Sequence, residues 1–270
     1  MHADPRLVLA AYRQLAVEGL VTVRPRSGVF VQAAAPPGDG RLPEVASLVV
    51  DVFLRGLARG IVPTELRRQA RACLDTVRTR AACLECNDDQ IHALCRQVQE
   101  DYGFDATGVD VDALESGDPL PARATACDVI LTTAFHAARA RRLGRRLKRP
   151  VIVATLDAHF VTEVRQMLER GRVWWICTDP RFAAKVLRMF PGAAVEAFVL
   201  GQGSLDVIPA DAAVYATRHA AARLPPRWHR GRVVTIPRVF SPETARALLE
   251  FQVARNLRVI RAAAGHARPA

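Results

Sequence analysis

At 270 residues, half of them apolar, the chain is long enough for one large or two modest domains around a sizeable core. Its 38 Lys and Arg against 27 Asp and Glu leave a formal charge of +11, which suits a nucleic-acid partner; the arginines are spread along an alanine-rich chain, so composition alone does not establish one. No uncharged apolar run reaches membrane-spanning length, and no apolar stretch follows the N-terminal charges as in a signal peptide, so the expectation is a cytoplasmic protein with its six cysteines reduced.

Residues 4–32 read as a capped helix followed at once by a small hairpin. Asp4 suits the N-cap and Pro5 the first helical position, where a missing N–H costs nothing. Val8, Tyr12 and Leu15 repeat at i, i+4 and i+7 as one apolar stripe, and Gly19 closes the helix with Leu20 packing back. Residues 21–24 and 29–32 are β-prone, with Pro25-Arg26-Ser27-Gly28 as the turn between them. Helix, glycine, strand, basic turn and strand make the second half of a winged helix-turn-helix.

The run PRLVLAAYRQLAVEGLVTVRPRSGVFV, residues 5–31, resembles the end of the DNA-binding domain of GntR-type bacterial transcription regulators. That resemblance implies a recognition helix in a DNA groove and a wing on the backbone. It places Arg6 at base edges, Arg13 within reach of phosphate, and Arg24, Arg26 and Ser27 on the wing, with Gly28 letting the tip approach closely. It also implies double-stranded DNA as a partner and a homodimer. Two departures are visible. The family has two helices ahead of the recognition helix, where this chain has three residues before Asp4, and Leu7 stands where the family usually has Thr. Either the start lies upstream, or the segment is a remnant that binds DNA poorly.

Residues 33–42, AAAPPGDGRL, read as a linker. A helix is expected over 43–59, where Val45, Leu48, Val49, Val52 and Phe53 form a broad apolar stripe interrupted near its end by Gly56; Gly60 ends it at the latest. A second helix starts at Pro63 and runs through Leu66, Ala70, Cys73 and Leu74. The pair either supplies a dimer surface or packs on the chain's own C-terminal domain.

From Thr79 the period changes. Strands are expected at 81–86, 107–111, 127–131, 151–156, 173–177, 195–200, 213–216 and 233–236. Helices are expected at 87–102, 134–147, 159–170, 181–190 and 242–260. This alternation means βαβ units and mainly parallel sheet, either one doubly wound sheet or two linked lobes. The two-lobed form resembles periplasmic-binding-protein-like sensor domains in architecture only. The expected fold is therefore α/β: a partial winged helix-turn-helix over 1–33, a linker with connecting helices over 34–78, an α/β effector-binding domain over 79–262, and a tail over 263–270.

Ligands of open parallel sheets bind at the carboxyl ends of strands, and polar residues gather there in this chain. The candidate ligand residues are Glu85, Asn87, Thr132, Thr133, Phe135, His136, Asp157, Thr178 and Arg218. Helix capping accounts for some of the strand-end polar groups: Asn87 with Gln90 resembles a capping box, and Thr133, Asp157, Asp179-Pro180 and Ser241-Pro242 suit helix starts. It does not account for Glu85, Phe135, His136 or Arg218. Helix N-termini facing one crevice, with Arg181 and Arg218 nearby, favour a small anion. Glu85, Asp157, His136 and His159 are chemically suited to a divalent metal, but no short spacing supports one, and no metal or cofactor is expected.

Other motifs add little. Cys83-Leu84-Glu85-Cys86 is a lone C-x-x-C without a second pair. Neither G-x-S-x-G nor G-x-x-x-x-G-K-[ST] occurs, and Gly201-Gln202-Gly203 reads as a loop. The basic stretch 138–149 either touches phosphates or an acidic partner, through Arg139, Arg142 and Arg146 on one side of a helix, or is a solvated face. The leading reading is a one-component, non-enzymatic transcription regulator that senses a small anionic effector. The alternatives are a small-molecule sensor with a degenerate DNA-binding remnant and, on the strand-end cluster alone, an α/β enzyme.

Overall fold

The computed structural model describes residues 8, 11, 12, 21–24, 28–31, 42–225, 228, 232–235 and 240–266. The chain divides into two units, 1–69 and 70–270.

In the first unit Val8, Ala11 and Tyr12 are helical. Strands β1 (Val21–Arg24) and β2 (Gly28–Val31) pair antiparallel, with Val21 opposite Val31, Val23 opposite Val29 and Arg24 opposite Gly28. β-branched residues at facing positions are what such a two-stranded ribbon needs. Helix α1 (Leu42–Leu57) follows, then α2 (Pro63–Asp75), which runs across the boundary between the units. Gly56, expected to interrupt the last turn, has a packing reason: a Cβ there would lie 2.7 Å from Leu66 Cδ2. Gly60, at φ +73°, turns the chain out of the helix as expected. Along α1, Val45, Leu48, Val49 and Val52 are exposed.

The second unit runs β3 (Arg80–Glu85), α3 (Asp88–Tyr102), β4 (Asp105–Asp110), α4 (Val111–Glu115), α5 (Ala122–Thr125), β5 (Val129–Thr133), α6 (Ala137–Leu147) and β6 (Val151–Ala154). It continues with α7 (Ala158–Arg170), β7 (Val173–Cys177), α8 (Pro180–Met189), β8 (Val195–Val199), β9 (Ala213–Ala216), α9 (Arg218–Ala221), β10 (Arg232–Thr235) and α10 (Pro242–His266). The eight strands form two parallel sheets, ordered β4-β3-β5-β6 and β10-β9-β7-β8. Counted within its own half, each sheet has the same order, second-first-third-fourth. Of the two arrangements open from sequence, the chain takes two separate sheets.

Both sheets are covered on both faces, hence the unbroken apolar runs in their strands. In β3, Ala81 and Cys83 face a core with Leu94, Val98, Phe104 and Leu248, while Ala82 and Leu84 face another with Ala124, Ile130, Ala140 and Leu143. In β7, Val173 and Trp175 pack with Val164, Val186 and Tyr215, and Ile176 with Phe198, Ile208 and Val214.

The chain crosses between the sheets twice, and the crossings lie side by side. Leu156 bridges Phe240, Ser241 N–H donates to Thr155 O at 2.9 Å, and Thr155 N–H donates to Thr244 Oγ1 at 2.9 Å. Helix α10 thereby returns to the first sheet. There the buried Asn256 accepts from Val77 N–H at 2.7 Å, and Gln252 donates to the carbonyls of Leu74 and Tyr102.

Several expected bounds shift for local reasons. The strand expected at 107–111 ends at Asp110, which caps α4 by accepting from Asp112 N–H at 2.9 Å. The strand expected at 127–131 is Val129–Thr133, because Cys127 N–H still bonds back to Ala124 O. The segment after Gly203, expected as a loop, holds one 3-10 turn, Leu205–Val207, capped by Ser204.

Candidate functional site between the two sheets

In each sheet the strand order reverses between its first and third strands, and open α/β sheets bind ligands outside that reversal. In the first sheet the reversal lies between β3 and β5, which end at Glu85 and Thr133. In the second it lies between β7 and β9, followed by Thr178 and Thr217. These two places meet, and buried polar side chains join them.

The main join is Asp89, in the first turn of α3. Its carboxylate accepts from Thr178 N–H at 2.9 Å, Thr178 Oγ1 at 3.1 Å, Asp179 N–H at 2.8 Å and the Thr217 hydroxyl. Asp89 is 2% exposed, so these four donors replace the water it has lost. Asp179 reciprocates: it accepts from Asp88 N–H at 3.0 Å and caps α8 through Arg181 N–H at 2.8 Å. Burial pushes the Asp179 carboxyl up, but its bonds to the Arg181 guanidinium and to backbone N–H groups outweigh that and hold it below the usual range. Arg181 also reaches Asp110 Oδ2 across the crevice at 2.7 Å.

A second join centres on Glu85, fully buried at the end of β3. Its Oε1 accepts from Thr133 N–H at 2.9 Å and Thr133 Oγ1 at 2.6 Å. Its Oε2 lies 3.4 Å from His136 Nε2 and 3.6 Å from Lys185 Nζ. Lys185, from α8, donates to Gln90 Oε1 at 2.6 Å and sits 4.1 Å over the exposed Phe135 ring. Burial lowers the His136 pKa, with Lys185 and Arg139 adding to the effect and Glu85 opposing it.

Most expected ligand residues are therefore present at the crevice, but engaged with one another. Asn87 caps α3, its Oδ1 accepting from Gln90 N–H at 2.9 Å, but the Gln90 side chain bonds Asn87 Nδ2 at 2.7 Å and not the backbone N–H that a full capping box would use. Thr132 Oγ1 donates to Leu84 O at 2.9 Å between strands. Thr133, expected as a cap, makes no capping bond; its hydroxyl goes to Glu85. Arg218 pairs with Glu100 at 3.0 Å at the rim, and Asp157 is half-buried beside the first crossing. Missed from sequence were Asp89, Asp110, Thr217 and Lys185, whose partners lie far along the chain and leave no spacing signal.

Beside Asp89 lies a cavity of about 120 Å³. Its wall is mostly apolar, formed by Leu94 and Ala93 of α3 facing Trp175, Phe182, Val186 and Phe190, with Asp89, Thr133, Thr217 and Arg218 at its polar side. Trp175 is buried, and its indole N–H has no partner among the described residues.

Glu85, Cys86 and His136 each offer one metal-ligand atom, all within 4.8 Å of one another. This differs from the set considered in sequence: Asp157 is not in it, and the His159 side chain lies outside the described residues. Lys185 beside Glu85, and Arg139 Nη1 at 3.5 Å from His136 Nδ1, already supply positive charge there, so a metal would compete with both. Cys83 of the C-x-x-C is buried, and its hydrogen bond with Cys95, together with burial, pushes its thiol well up. In the basic stretch, Arg139 pairs with Asp112 at 3.2 Å and Glu115 at 2.9 Å, so it is neither free for phosphate nor simply solvated.

Of the DNA-contact candidates, Arg6, Arg13, Arg26 and Ser27 lie outside the described residues, while Arg24 and Gly28 are the facing pair at the end of the hairpin. Among the described residues no helix is long and apolar enough to cross a membrane. No family model, curated protein or solved structure matches the chain.

Proposed function

We propose that this chain is a cytoplasmic, DNA-binding transcription regulator of GntR type that works as a homodimer. Its two-sheet region senses a small anionic effector in the crevice and does no chemistry on it. The observation that carries the sensing half is the coincidence of the two strand-order reversals with one cavity, bordered by Thr133 from the first sheet and Thr217 from the second. Adjacent chain crossings at Leu156 and Phe240 suit a hinge about which the sheets can change separation. The DNA half rests on the sequence resemblance, and the antiparallel hairpin with Arg24 beside Gly28 is compatible with a wing. The exposed stripe Val45, Leu48, Val49 and Val52 is a candidate dimer surface.

The test is a fluorescence-anisotropy titration of the full chain against promoter DNA from its own locus, at two salt concentrations. Sequence-selective binding is expected. Weak binding that vanishes with salt would reduce the DNA role to the arginine charge and leave a small-molecule sensor.

A further inference from the structure

Four donors converge on the Asp89 carboxylate, and all four belong to the second sheet's strand ends: Thr178 N–H and Oγ1, Asp179 N–H and the Thr217 hydroxyl. Asp89 itself comes from a helix of the first sheet. The second sheet thus carries a complete carboxylate-binding site, and the chain's own side chain fills it. Asp89 and Thr217 also border the apolar cavity, so that site and the cavity are continuous. At about 120 Å³ the cavity approaches the roughly 150 Å³ that holds a benzene ring in an apolar core. Trp175, Phe182 and Phe190 give it aromatic walls, and Arg218, paired with Glu100, stands at the rim.

We propose that the crevice takes a small carboxylic acid with a compact apolar body, one ring or a branched chain. The ligand's carboxylate replaces that of Asp89 on the Thr178, Asp179 and Thr217 donors, and its body fills the cavity. This names the ligand class for the sensor reading above and rests on it. One carboxylate replaces another on the donors, the displaced Asp89 turns out toward solvent, and this tie between α3 and the second sheet is released while the Asp88–Asp179 and Gln90–Lys185 bonds remain. That is how occupancy becomes a change between the sheets: the self-occupied state and the ligand-occupied state compete for one set of donors. A tethered competitor lowers the apparent affinity by the fraction of molecules in which the donors are free.

The experiment titrates the full chain and its Asp89→Ala variant with benzoate, following tryptophan fluorescence and melting temperature. Acetate supplies the head alone and toluene the body alone. Benzoate is expected to quench and stabilise both proteins, with roughly tenfold tighter binding to Asp89→Ala, and acetate and toluene to do less in each. Benzoate binding that is equal in the two proteins would overturn the exchange. Absence of benzoate binding in the wild-type chain at concentrations up to solubility would overturn the ligand class. If Asp89→Ala does not fold, Asp89→Asn, which keeps one acceptor oxygen, carries the same comparison. DNA binding is measured on the same samples without benzoate, so intact selective binding with no benzoate response sinks this inference alone, and the reverse result sinks only the regulator reading.

Discussion

Asp89, in helix α3 beside the first sheet, and Thr178, just past a strand of the second, lie 89 residues apart, yet the Asp89 carboxylate accepts both the backbone N–H and the hydroxyl of Thr178. Removing that carboxylate leaves Thr178, Asp179 and Thr217 with buried donors facing an empty space. Asp89→Ala is expected to cost about 3 kcal/mol or more, since each unsatisfied buried group costs roughly 1–3 kcal/mol. Asp89→Asn should cost less. Urea unfolding of the three proteins checks the order; equal stability would mean that water satisfies the donors.

Glu85 and Lys185 form a buried pair across the crevice, 3.6 Å apart. Glu85→Gln or Lys185→Met alone leaves one buried charge without its counterpart and is expected to cost about 3–5 kcal/mol. The double variant should be clearly more stable than the two single losses predict. A double-mutant cycle reads this directly, and strict additivity would contradict the pairing.

Folded His136 has its pKa lowered from 6.5, chiefly by burial. Above that value the imidazole is neutral in both folded and unfolded chains. As pH falls, the unfolded chain takes the proton first, so stability drops until the folded imidazole also protonates. One proton contributes at most about 1.4 kcal/mol per pH unit. His92 is lowered in the same direction by burial, so both contribute. Urea midpoints at several pH values between 7.5 and 5 should fall, less steeply in His136→Asn; an unchanged slope in that variant would contradict the shift.

Gly144, within α6, faces β6 closely: a Cβ there would lie 2.6 Å from Val151 Cγ2 and 2.8 Å from the Arg149 carbonyl oxygen. Alanine normally gains about 1 kcal/mol over glycine inside a helix. Here overpacking against backbone, costing roughly 1–3 kcal/mol, should reverse the sign. Gly144→Ala is expected to lower the melting temperature, and a gain would refute the close approach.

If the resemblance in residues 5–31 reports a working DNA-binding segment, Arg26 and Arg6 should differ in kind. Arg26→Ala is expected to weaken binding evenly across sequences and to reduce the salt slope by about one unit. Arg6→Ala should relax sequence preference instead. Anisotropy titrations on specific and scrambled DNA separate the two, and equal losses on every sequence would end that division.

The sequence by itself determined whatever depends on near neighbours. Unbroken apolar runs at Ala81–Leu84 and Val173–Cys177, the Asn87 cap on Gln90 N–H, the Asp179-Pro180 helix start and the glycine exit at Gly60 are set by residues a few positions apart, and each is found where expected. Strand ends blurred where a cap competed with the ladder, as at Asp110. The gathering of Glu85, Thr133, His136 and Thr178 at strand ends was legible too, because βαβ order fixes which ends face outward. Only the tertiary structure decided that the eight strands split into two sheets, that Asp89 closes the second sheet's carboxylate site, and that Lys185 answers Glu85. Those choices depend on buried polar groups finding partners 89 to 128 residues away in the Asp89 contacts, a requirement of desolvation that leaves no periodicity in the chain.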